Sequence, residues 1–346
     1  MNFKPNCAAT IIGSFPHENA DEACGLVFTT LPEIPAWPQL PRRSFLEEMN
    51  NQYSRRLPCF YLDEENRKSG FNTALDLASE LERFYAPIIE DNVEYFSLDE
   101  DYAAGFHCFL SKAPAGITAV KGQVTGPLTL GLMTDVTDGK FALYKPDIFD
   151  AIVKNCAMVA RWQVRRLKSL SDNVIVFFDE PSLSIIGSGF YSVDRGIVLD
   201  SFREIINAIH AEGGIAGTHC CGNADWDELM LLDLDIINFD ATDDVIVEKF
   251  INSRNLPSFL ERGSCIAWGI VPTLREKCEN ASDESVVRAL RDSIRRLRDR
   301  GFQEDEILSQ SILTPSCGTG SLPLHLAEKV MRILADLVST MRGGMP

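Results

Sequence analysis

Short apolar, β-branched runs recur along the whole chain with longer helical stretches between them, and this alternation restricts the fold more than any other feature. The runs are residues 9–12, 93–98, 117–122, 174–179, 214–219, 235–240, 265–270 and 311–314. Strands that alternate with helices pair in parallel, because a parallel pair needs a crossover long enough to hold a helix. Residues 147–170, 197–211 and 285–300 carry apolar side chains at helical spacing.

Eight strands with intervening helices predict an α/β chain of the (β/α)8 type, a TIM barrel, as one domain over residues 1–346. A doubly wound open sheet is the alternative, but Ile12-Gly13-Ser14-Phe15-Pro16 is not the GxGxxG turn expected after its first strand. An insertion at about residues 31–85 separates the first two predicted strands. It begins with Pro32, Pro35, Pro38 and Pro41 around Trp37. Proline breaks helices and cannot donate within a central strand, so residues 31–41 read as an ordered loop or linker.

Charge narrows the partners. With 33 Lys and Arg against 50 Asp and Glu, the formal charge of −17 repels nucleic acid and anionic membranes. Residues 1–10 hold no apolar run of signal-peptide length and no segment approaches a membrane span, so a cytoplasmic location is expected. The ten cysteines lack the dense spacing of a disulfide scaffold and are expected to be mostly reduced core residues.

Ser14, Asp179-Glu180-Pro181, His219-Cys220-Cys221, Asp240 and Cys317-Gly318 all fall at or near the C-terminal ends of predicted strands. In a barrel those ends form one face, where active sites are built. His219 and Cys221, one residue apart in an extended segment, point to the same side, while Cys220 points away. An isolated His-x-Cys is usually core packing. A second glycine-flanked cysteine, Cys317, arriving at the same face changes that reading, because imidazole and two thiols suit a soft divalent ion such as zinc. Asp240 is a further candidate ligand, and three ligands with an exchangeable position suit a catalytic rather than a closed structural site.

Asp179 and Glu180 are candidates to bind a substrate ammonium or hydroxyl, although an acid before proline also reads as a helix cap. Gly13 allows close backbone approach, and Ser14 can donate to a carboxylate.

Ile12-Gly13-Ser14-Phe15-Pro16, Val124-Thr125-Gly126-Pro127-Leu128-Thr129, Asp179-Glu180-Pro181-Ser182-Leu183, His219-Cys220-Cys221 and Pro315-Ser316-Cys317-Gly318 occur in this order. Over nearly its whole length the chain thereby resembles the catalytic domain of cobalamin-independent methionine synthase, within the uroporphyrinogen decarboxylase-like superfamily of barrels. The resemblance implies zinc on His219, Cys221 and Cys317, with Asp240 where the family has glutamate. It implies that Ser14 holds the carboxylate of homocysteine and Asp179 its ammonium, with Glu64 or Glu65 as the candidate second substrate acid. Family members of full length carry a further N-terminal barrel that helps bind folate. This chain has the length of one, so it resembles a short, single-barrel form whose methyl donor is methylcobalamin or a methylated corrinoid protein rather than methyltetrahydrofolate.

The expected reaction is methyl transfer to the homocysteine thiol, giving methionine, with positioning and thiolate activation as the main effects. Three alternatives are kept: another thiol acceptor such as coenzyme M; a decarboxylase of the same superfamily gripping a polycarboxylate with Arg42 and Arg43; and a non-enzymatic, zinc-stabilised protein that binds a corrinoid-carrying partner.

Overall fold

The computed structural model describes residues 3–186 and 193–343. Among these residues seven strands form one parallel sheet: β1 (Ala8–Ala9), β4 (Val120–Thr125), β5 (Val174–Asp179), β6 (Ile215–Cys220), β7 (Ile236–Asp240), β8 (Cys265–Val271) and β9 (Ser311–Pro315). The sheet runs in the order β1-β9-β8-β7-β6-β5-β4 and curls with helices on its outside, as an α/β barrel does. Between β1 and β4 in sequence lies an antiparallel hairpin, β2 (Phe60–Asp63) and β3 (Lys68–Phe71). The three predicted helices are present as Pro146–Leu167, Arg195–Ala211 and Asp283–Asp299. None of the described helices is long and apolar enough to cross a membrane.

The predicted second strand is corrected. Residues 93–98 do not join the sheet; Val93–Phe96 is a 3-10 turn whose Val93 and Phe96 are buried in the outer core. A short apolar run has no periodicity to separate a strand from a buried turn.

Its place in the wall is taken by the proline-rich stretch read as a loop or linker. Ala119 N donates to Glu33 O (3.0 Å), Lys121 N to Pro35 O (3.0 Å) and Trp37 N to Lys121 O (3.3 Å) on the β4 side. On the β1 side Gln39 N donates to Gly13 O (3.0 Å) and Phe15 N to Gln39 O (2.8 Å). Ala36 pairs in parallel with Lys121, and Ser14 with Gln39. The prolines are tolerated because this stave uses few donors: Pro35 contributes its carbonyl, and Pro38 falls between the two donors Trp37 and Gln39. Two further parts of the predicted insertion lie on the C-terminal side of the wall. There Thr125 Oγ1, ending β4, donates to Met49 O (2.7 Å), and β3 is tied to the segment after helix Pro127–Met133 through Phe71 N to Asp135 O (2.9 Å).

Two apolar clusters hold the wall. The larger lies between strands and helices. The smaller lines the inside of the barrel with Ile175, Phe177, Ile215, Ile236, Ala267 and Ile312, with Phe3 packed among them. Along β5 the alternation Ile175, Phe177, Asp179 therefore climbs from apolar filling to a carboxylate, and along β6 the same face ends in His219.

Candidate metal centre

His219, Asp179 and Asn238 stand side by side because their strands are in register: Asp179 pairs with His219 and His219 with Asn238. Parallel strands put paired residues on one face, so a polar row crosses the inner mouth of the barrel. Cys221 follows β6 by one residue, and Cys317 follows β9 by two. One ligand atom from each of His219, Cys221 and Cys317 lies within 4.8 Å of the others.

This donor set fits a soft divalent cation. His219 is 2% exposed, and its Nε2 has no hydrogen-bond partner. Its other nitrogen is committed, since Nδ1 donates to Asn238 Oδ1. The amide of Asn238 is oriented by two further bonds, Nδ2 donating to Ala267 O (2.9 Å) and to Thr314 Oγ1 (2.7 Å). The neutral ring therefore carries its proton on Nδ1 and leaves a lone pair on Nε2 for a ligand. A hydrogen bond from Cys317 holds the Cys221 thiol well below its ordinary value, and the same bond together with burial pushes Cys317 up. Both cysteines retain some exposure, so the cluster opens on its sulfur side. Cys220 points away as expected, its Sγ donating to Gly222 O (3.5 Å).

Asp240 is not brought into this cluster. Its Oδ1 accepts from Thr242 N (2.8 Å) and Thr242 Oγ1 (2.7 Å), a local turn that occupies one oxygen of the carboxylate expected to face the ion. Asp179 remains available: it is 6% exposed, and its Oδ1 has no partner. Burial raises the Asp179 carboxyl to about 6, against the pull of Lys121 and His219.

Glu180 is corrected from substrate contact to helix cap. Its carboxylate accepts from Leu128 N (2.9 Å), Thr129 N (2.8 Å) and Thr129 Oγ1 (2.6 Å), at the start of helix Pro127–Met133. It has no exposed surface, and burial pushes it up to about 8 although these three donors pull it down. The unfolded carboxyl titrates near 4.3, so the folded chain holds a proton that the unfolded chain lacks between roughly pH 4.5 and 8. Stability carried by Glu180 is thus full below that window, falls through it and is level above. Both carboxylate oxygens accept, so Glu180→Gln must turn its amide nitrogen toward a donor, and urea unfolding is expected to show a loss of about 1–3 kcal/mol. A glutamine variant as stable as wild type would show that the cap does not need both oxygens as acceptors.

Ser14 lies against the Cys317 loop. Thr319 N (2.8 Å) and Thr319 Oγ1 (3.0 Å) donate to Ser14 O, Gly320 N donates to Ser14 Oγ (3.4 Å), and a Cβ on Gly318 would collide with that hydroxyl. Gly13 serves packing rather than ligand approach, because a Cβ there would strike Gln39 and Gln123. Arg42 clasps the same loop through Gly320 O (3.0 Å) and Leu322 O (2.7 Å), and Arg43 pairs with Glu47 (2.6 Å), so neither is free to grip a polycarboxylate. Glu64 and Glu65 lie exposed at the β2–β3 turn, outside the metal cluster.

No protein-family model matches the sequence, and no curated protein matches it. Solved structures do. A Listeria monocytogenes protein provisionally assigned as a vitamin-B12 independent methionine synthase is 14% identical over 93% of this chain and 85% of that one, with a TM-score of 0.51. A Bacteroidetes-affiliated GH5 cellulase is 13% identical over 72% of this chain and 80% of its own, with a TM-score of 0.42. A pneumococcal exo-β-D-N-acetylglucosaminidase module is 10% identical over 96% and 85%, with a TM-score of 0.45. At such identities the Listeria likeness shows a shared barrel fold.

Proposed function

We propose that the chain is a zinc-dependent methyltransferase that moves a methyl group from a methylated corrinoid, free or carried by a partner protein, to the thiol of homocysteine. The observation that carries this reading is the convergence of His219, Cys221 and Cys317 within 4.8 Å, with the Nε2 of His219 buried and unpartnered. When bound, the ion would supply the positive charge that keeps an acceptor thiol deprotonated near neutral pH.

The chain's own groups account for the rest. Asn238 fixes which nitrogen of His219 is offered, and Cys221 and Cys317 provide the soft half of the ligand set. The unpartnered Oδ1 of Asp179 is an acceptor for the ammonium of an amino-acid thiol, and the Ser14 hydroxyl, beside the Cys317 loop, is a donor for its carboxylate. Gripping the amino-acid end restricts where the sulfur lies, which is how positioning accelerates a bimolecular transfer. The methyl group leaves its donor without the bonding pair and forms the new S–C bond. That chemistry needs no nucleophile from the protein.

The test is methionine formation by purified protein from homocysteine, with methylcobalamin and methyltetrahydrofolate in separate reactions and metal content measured on the same sample. About one zinc per chain and product from methylcobalamin alone are expected. Product from methyltetrahydrofolate alone would overturn the donor, and product only when coenzyme M replaces homocysteine would overturn the acceptor. Protein that retains no metal would overturn the reading.

A further inference from the structure

Lys121 has no exposed surface, although it lies inside the barrel wall one strand from the site. Its Nζ donates to Ile12 O (2.7 Å) and to Gln123 Oε1 (3.2 Å) and sits 4.6 Å from the centroid of the Phe177 ring. Phe177 is two residues before Asp179 on β5 and on the same face, so the ammonium lies one layer below the Asp179 carboxylate. No described ion pair joins the two residues, and Asp179 Oδ1 remains without a partner. Burying an ammonium is costly, and an apolar side chain of equal length would fill the space without that cost. The position thus has a use other than packing, and its two neighbours indicate which. Its bond to Ile12 O holds the ammonium over the Phe177 ring, and the next inward-facing residue of β5 above that ring is Asp179.

We propose that Lys121 is a positioning residue for the amino-acid end of the acceptor: its charge supports a buried Asp179 left open to a ligand. This rests on the reading of Asp179 as the ammonium acceptor. The ligand's own ammonium, rather than Lys121, then completes the hydrogen bonding of Asp179.

The test compares binding of homocysteine with binding of 4-mercaptobutanoate, the same thiol without its amino group, to zinc-loaded protein by calorimetry. Lys121→Met and Lys121→Gln are made in wild-type and Asp179→Asn backgrounds, with zinc content and melting temperature checked. The glutamine variant keeps a donor for Ile12 O and serves if methionine does not fold. Both are expected to weaken homocysteine about tenfold or more, the size of a lost hydrogen bond to a charged group, and to leave 4-mercaptobutanoate within about twofold, since its affinity does not depend on Asp179. In the Asp179→Asn background neither should weaken homocysteine further, because Lys121 acts through the carboxylate. Equal losses for both thiols, additive losses in the Asp179→Asn background, or unchanged homocysteine affinity would each overturn the proposal while leaving the methyltransferase reading intact. Wild-type protein that holds zinc but binds neither thiol would overturn that reading and this proposal with it.

Discussion

Cys317→Ala is expected to leave a folded barrel that neither retains zinc nor turns over. Cys317 offers one of three candidate ligand atoms and belongs to neither apolar cluster, lying two residues past the end of β9 with part of its surface open. Its removal takes a ligand rather than core volume, so the stability cost to the metal-free chain should stay within about 1 kcal/mol. The loss of metal affinity should exceed the ~10–100-fold typical when only a ligand-orienting neighbour is removed. Cys220→Ala is the matched control. That sulfur faces Gly222 O on the other side of the strand, so the variant should keep its metal. Metal analysis, thermal unfolding and methionine formation on the same preparations separate the cases. Full zinc and full turnover in Cys317→Ala would remove the residue from the site. Collapse of the fold on metal loss, with no thiol alkylation by the loaded wild type, would instead favour a structural ion in a binding protein.

The convergence of His219, Cys221 and Cys317 was legible in the sequence because these residue types are rare and the barrel dictates where strand ends meet. The orienting groups were not. Asn238 lies within the apolar run Ile236–Asp240, and neither spacing nor composition shows that its amide ties β7 to three other strands, through His219 on one side and Ala267 and Thr314 on the other. Lys121 reads as a surface lysine until β4 is placed with its inner face toward Phe177. Glu180 was ambiguous because a carboxylate after a strand can serve a ligand or a helix. The donors that decide it, Leu128 N and Thr129 N, lie about fifty residues away in the chain. Asp240 carried a local signal that was passed over: Asp-x-Thr at a strand end closes a turn on itself. The proline-rich stave shows the same limit in the fold. Proline density argues against a strand only when every backbone donor is needed, and the pairing that relaxes this condition involves β1 and β4, far from residues 33–39 in sequence.

Asn238→Leu is expected to reduce zinc affinity by ~10–100-fold, with every metal ligand still present. In wild type the two donors of the amide are taken by Ala267 O and Thr314 Oγ1, so Oδ1 must face His219 and hold the proton on Nδ1. Leucine fills similar space but accepts no hydrogen bond. The imidazole can then rotate or place its proton on Nε2, and either change removes the lone pair from the cluster. Buried groups on β6, β8 and β9 lose a partner at once, so the metal-free chain should also lose about 1–3 kcal/mol of stability. Asn238→Asp separates these two effects. A carboxylate still accepts from His219 Nδ1 and should preserve metal affinity, but it cannot donate to Ala267 O, so it should remain destabilised. If the leucine variant is destabilised yet binds zinc as wild type does, the amide is only a strand-to-strand tie, and the orientation of His219 must be held by the barrel alone.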